Sequence, residues 1–176
     1  TFEVHQLIDV GGNPVDVLLV DLDTDQQIDI VTSNQADAQL AFLKNSGGGL
    51  FDSLWSIETP PLPGQLATAD FNFDGNADIA TTSSGFADSA VVLFNDGSGD
   101  LWIGGEFALP FDPQAIVASD FNQDGNVDLA VSHPGHGQVS LLTSTGVIGG
   151  LRFAAGTSVL YCIGQEKGNS TIRDWF

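Results

Sequence analysis

Three short stretches of the chain space oxygen-bearing side chains as a hard cation requires. One is Asp120-Phe121-Asn122-Gln123-Asp124-Gly125-Asn126-Val127-Asp128. Side-chain oxygens stand at its positions 1, 3, 5 and 9, with glycine at position 6. Calcium takes about six to eight oxygen ligands at about 2.3–2.6 Å, from carboxylates, amides and carbonyls. Alternate positions of a tight loop point inward together, and glycine permits the sharp reversal. The second copy is Asp70-Phe71-Asn72-Phe73-Asp74-Gly75-Asn76-Ala77-Asp78, and the third is Asp21-Leu22-Asp23-Thr24-Asp25-Gln26-Gln27-Ile28-Asp29. Their first residues lie 49 (21 to 70) and 50 (70 to 120) apart.

The elements that must position these loops recur with the same period. A proline stands seven residues before each first Asp: Pro14, Pro63 and Pro113. Short apolar segments run from there into the loops: 15–20, 66–69 and 115–118. A second short segment leaves each loop: 28–31, 77–80 and 127–130. Both read as strands, so each loop is a hairpin tip. A helix-loop-helix calcium site would need Glu at position 12, where this chain has Thr32, Thr81 and Val131. A polar turn and a third strand follow (40–43, 90–94 and 139–142), then a Gly-rich turn closed by Phe51, Trp102 or Phe153. A fourth, more polar strand is expected at 56–59, at 106–109 and within 151–163. No stretch of ten residues has helical periodicity.

Four antiparallel strands per repeat of about 50 residues describe β-propeller blades. The expected fold is all-β: about three four-stranded blades plus an extra outer strand. The boundaries are 1–13 for an outer strand of a preceding blade, 14–62, 63–112 and 113–160 for blades, and 161–176 for an unassigned tail. Propellers have about four to eight blades. Three blades imply part of a longer protein, a ring closed by another chain, or an open array that stacks on neighbours.

Charge narrows the partners. Four Lys and Arg face 23 Asp and Glu, a formal net charge of −19. Nucleic acid is excluded as a partner, because binding it needs cations against phosphate. An anionic membrane surface is disfavoured for the same reason, and no apolar run approaches the ~20 residues of a membrane helix. Ten of the acidic residues sit in the three loops, where they would repel one another without a metal. The single cysteine, Cys162, allows no intrachain disulfide and is expected to be a buried apolar thiol. With neither initiator Met nor leader, the chain is expected to be a processed protein or an excised fragment.

At these residues the sequence resembles the FG-GAP/VCBS repeat family, the calcium-loop blades of integrin α-subunit-like propellers. The motif Pro-(six residues)-Asp-Phe-Asn-x-Asp-Gly-x-x-Asp-[Ile/Leu]-Ala runs from Pro63 to Ala80 and from Pro113 to Ala130. The resemblance covers roughly residues 1–155. The first repeat departs from it, with Leu22 for Phe and Gln26 for Gly. The resemblance implies one Ca²⁺ per loop, about three per chain, held by side chains at positions 1, 3, 5 and 9 and the carbonyl at 7. Those residues are Asp21, Asp23, Asp25, Gln27 and Asp29; Asp70, Asn72, Asp74, Asn76 and Asp78; and Asp120, Asn122, Asp124, Asn126 and Asp128. Such a site would be structural, and one with a dissociation constant of ~10⁻⁴–10⁻³ M fills in extracellular calcium. A secreted or cell-surface location is therefore expected.

Other chemistry is weaker. His133-Pro134-Gly135-His136 reads as a polar turn. Trp55, Trp102 and Phe86 read as packing aromatics before they read as a sugar- or peptide-binding surface. No nucleophile elbow, Cys–His pair or phosphate loop is present. Asn169-Ser170-Thr171 is an N-glycosylation sequon, meaningful only in a secreted eukaryotic chain. The expected function is a calcium-binding, non-catalytic extracellular module for adhesion, ligand binding or assembly, with a protein or glycan as ligand and self-association as a route to closure. The alternatives are a lectin, a structural subunit of a surface fibre or shell, and an accessory domain of a larger enzyme or adhesin.

Overall fold

The computed structural model describes residues 6–86, 88–145 and 161–162. Within them lie three antiparallel meanders. The first holds β1 (Pro14–Val20), β2 (Asp29–Asn34), β3 (Gln39–Asn45) and β4 (Phe51–Glu58). The second holds β5 (Pro63–Ala69), β6 (Asp78–Ser83), β7 (Ser89–Asn95) and β8 (Leu101–Ala108). The third holds β9 (Ile116–Ser119), β10 (Asp128–His133) and β11 (Gln138–Leu142), edged by the two-residue β12 (Tyr161–Cys162). Within each sheet every strand pairs with its sequence neighbour, and each acidic stretch is the hairpin tip joining a sheet's first two strands.

The sheets stack face to face, and alternation within the strands shows how. In β7, Val91 and Leu93 enter one apolar cluster with Val31, Leu40 and Phe42 of the first sheet. Their neighbours Ala90, Val92 and Phe94 enter the other, with Ile116, Leu129 and Val131 of the third. A strand's side chains alternate between faces, so the middle sheet is buried on both sides, and every residue of β6 and β7 is buried. First strands lie side by side, β1 against β5 and β5 against β9, and polar bonds cross the same seams. The Leu66 amide donates to Asp16 Oδ2 at 2.7 Å, and Thr82 Oγ1 donates to the Gln114 carbonyl at 2.9 Å. This is the packing of neighbouring blades, and ring closure is absent among the described residues.

The fourth strands differ from expectation. β4 and β8 begin at Phe51 and Leu101, not at 56 and 106, so Phe51 and Trp102 lie in strands rather than closing turns. Outer strands are half exposed and show little apolar alternation, which hid their first halves. Gln6–Ile8 is not a strand. The rest of the expected leading strand, the closing aromatic Phe153, the side chain of Cys162 and the sequon at Asn169 lie outside the described residues. β12 falls within the segment expected to supply the third sheet's fourth strand.

Deleting a side chain between two sheets should cost far more than deleting one outside. Leu93, fully buried, should lose about 2–5 kcal/mol on Leu93→Ala by urea unfolding. Val17, 61% exposed, should lose no more than about 0.5 kcal/mol on Val17→Ala. Equal losses would contradict the stacking.

Candidate metal-binding loops

Each loop is wound by its own side chains. In the second, the Gly75 amide donates to Asp70 Oδ2 at 2.9 Å, the Asp74 amide to Asn72 Oδ1 at 2.9 Å and the Asn76 amide to Asp74 Oδ1 at 2.8 Å. The third repeats this set through Asp120, Asn122 and Asp124 at 2.9, 2.8 and 2.8 Å. In the first, the amides of Gln26, Asp25 and Gln27 donate to Asp21, Asp23 and Asp25. Asp and Asn favour such turns, in which the side chain accepts from the backbone two residues on. The side-chain oxygens at positions 1, 3 and 5 thus fix the course of the loop backbone.

Two positions per loop have left-handed backbone. Position 6 is Gly75 or Gly125 at φ 90° and Gln26 at φ 69°. Gln26 therefore keeps the geometry of the glycines, at a cost of roughly 1–2 kcal/mol for a residue with a Cβ. Position 4, which the spacing did not single out, is left-handed as well: Thr24, Phe73 and Gln123.

Position 9 is the anchor. Asp29, Asp78 and Asp128 are almost wholly buried. Asp78 Oδ1 accepts the Asn95 amide at 2.8 Å and Oδ2 the Phe71 amide at 2.9 Å. Asp29 does the same with Asn45 and Leu22. Asp128 Oδ1 accepts the Ser144 amide, while its Oδ2 is buried with no hydrogen-bond partner. Each carboxylate ties its loop to the C-terminal end of the sheet's third strand or the residues just beyond it. Asn95 extends the tie between sheets, since its side-chain amide donates to both Ala77 O and Leu22 O of the first loop. Asn45 and Asn95 stand 50 residues apart, a spacing that could have revealed them.

The residues fit a hard cation to different extents. Ligand oxygens of Asp21, Asp23 and Asp29 all lie within 4.8 Å of one another, and Asp21 Oδ1 is buried without a partner. Asp25 is more exposed and faces Lys44 Nζ at 3.7 Å. Lys44 also forms an ion pair with Asp23, a contact the spacing did not suggest. In the other two loops no three acidic groups approach as closely, among the described residues. There position 3 is an amide, and Asn72 and Asn122 each donate to the position-5 carboxylate at 2.9 Å. The orphaned oxygens of Asp21 and Asp128 are what an absent cation would satisfy. The carbonyls of Gln27, Asn76 and Asn126 stand at position 7 of the same loops.

His133 has a different job. It is fully buried, with Nδ1 2.8 Å from Phe111 O and Nε2 2.8 Å from Ser140 Oγ. His136 stacks on Phe111 at 4.1 Å between ring centroids. Pro134–His136 is a short 3-10 turn, as the polar-turn reading expected. Trp55 stacks on Phe42 at 5.4 Å and Trp102 meets Phe94 edge-on, while Phe86 is fully exposed.

Residues 7–81 match the FG-GAP-like repeat family. The matched span is similar to that repeat and holds the first two loops, including the divergent one. No curated protein matches the chain.

Charge in these loops has a pH signature. Burial pushes the Asp78 carboxyl from 3.8 up to about 6, against the Asn95 and Phe71 amides that favour its ionised form. A folded pKa above the unfolded one makes a contribution to stability that is complete below pH 3.8 and lost as pH rises through about 6. The Lys44 contact holds Asp23 below 3.8, and the Asn126 amide does the same for Asp124, so both act only in more acid solution. In EDTA the melting temperature should therefore fall by several degrees between about pH 4 and about pH 6. Calcium, which stabilises the carboxylate, should flatten that fall. A curve equally flat without calcium would contradict the assignment to Asp78.

Proposed function

We propose that this chain is a calcium-stabilised repeat module used for binding or assembly outside the cell, and not a catalyst. The observation that carries the reading is the pair of buried, unpartnered carboxylate oxygens, on Asp21 and Asp128. A divalent ion satisfies such oxygens, and binding only to the folded chain adds stability. Each of the three loops would take one Ca²⁺, which the millimolar calcium of extracellular fluid would fill. Mg²⁺ suits the loops less, because it favours octahedral sites with several retained waters. Binding of a protein or glycan, and association between copies, belong to the same reading.

A second reading, as a lectin, has one observation in its favour. A 370 Å³ cleft lies between the first two sheets, lined by Trp55, Lys44, Ser98, Gly99 and Asp100 among others. An indole beside polar groups suits the apolar face and hydroxyls of a sugar. Soluble glycan that binds wild type but not Trp55→Ala would support it.

Native mass spectrometry at saturating calcium tests the primary reading. Three ions per chain are expected, and Asp124→Ala should remove one. That substitution should lower the melting temperature more in calcium than in EDTA, where only the loop's own hydrogen bonds, worth about 1 kcal/mol each, are lost. No bound ion, or equal losses in the two media, would overturn the calcium assignment.

A further inference from the structure

The three loops differ in charge at two places, and the differences coincide. Position 3 is Asp23 in the first loop but Asn72 and Asn122 in the others. The residue preceding the amide that caps the buried carboxylate is Lys44 in the first repeat but Phe94 and Thr143 in the others. The repeat with a fourth carboxylate is thus the repeat with a lysine. The two meet: Lys44 Nζ pairs with Asp23 Oδ2 and lies 3.7 Å from Asp25 Oδ2. With the ammonium counted, the first loop carries the same net charge as the other two.

We propose that Lys44 is a tethered cation of the first loop, which neutralises Asp23 while no divalent ion is bound and must move aside to admit one. This rests on the calcium reading. An extra carboxylate should otherwise make the first loop the strongest site, since ligand charge tunes calcium affinity. The ammonium engages an oxygen of the same group of Asp21, Asp23 and Asp29, so ion and lysine compete for Asp23. Lys44 also lines the 370 Å³ cleft beside Trp55 and Asp100, which has room for the displaced side chain. The first loop therefore holds its shape without calcium and fills after the other two.

A calcium titration followed by native mass spectrometry and calorimetry, with melting in EDTA alongside, tests this. Wild type should bind two ions before the third. Lys44→Gln should tighten the third by roughly tenfold, the size expected for a unit charge a few ångströms from a divalent ion in near-water dielectric. Lys44→Arg, which keeps the charge, should behave as wild type. In EDTA, Lys44→Gln should melt lower, and adding Asp23→Asn should restore the loss by giving the loop the charge of its neighbours. Two ions with a third unmoved by Lys44→Gln would overturn the tethered cation alone. No ion in any variant would overturn it together with the calcium reading. Unchanged melting of Lys44→Gln in EDTA would show that the lysine neutralises nothing.

Discussion

A buried carboxylate holds each repeat together. Asp29, Asp78 and Asp128 stand where a β-strand leaves an acidic loop, almost wholly out of water. Burying a charge is costly unless hydrogen bonds or an opposite charge compensate it. Here, in the first two repeats, the compensation comes from backbone amides of two separate segments, the second residue of the loop and the last residue of the third strand. The side chain thereby fixes the first hairpin and the adjoining turn as one unit. In the third repeat only the turn amide reaches Asp128, and Phe121 is 40% exposed where Leu22 and Phe71 are buried.

Sheet stacking depends on the same constraint. Leu22 and Phe71, whose amides cap the buried carboxylates, point their side chains into the two apolar clusters between sheets. Asn95 spans the first of those seams, with its amide shared between loops of neighbouring sheets. Loop geometry and core packing are therefore coupled. A bound ion that tightened a loop would also steady the seam beneath it. His133 performs a comparable task in the third sheet. It joins Phe111, ahead of β9, to Ser140 in β11.

Much of this was legible in the chain because period and spacing are local properties. The repeat of about 50 residues, the prolines ahead of each loop, the Asp and Asn spacing and the short apolar runs of β6, β7 and β10 need no partner to be seen. The all-β class, the hairpin position of the loops and their order followed from them, and the family match over residues 7–81 agrees. The outer strands were harder. β4 and β8 are half exposed and carry no strong alternation, so their first halves resembled turns. Gln26 at position 6 likewise concealed a loop geometry that its hydrogen bonds impose regardless of residue type.

What the sequence determined by itself was the composition of each loop and the rhythm of strands around it, since both rest on neighbours within a few residues. Tertiary structure decided which carboxylates are buried, which oxygens lack a partner and which cation reaches which loop. Lys44 stands 21 residues from Asp23 and Asn95 stands 73 from Leu22. Contacts over such separations exist only once hairpins have formed and sheets have stacked. Electrostatic energy depends on those distances and on the exclusion of water, and no spacing along the chain encodes either.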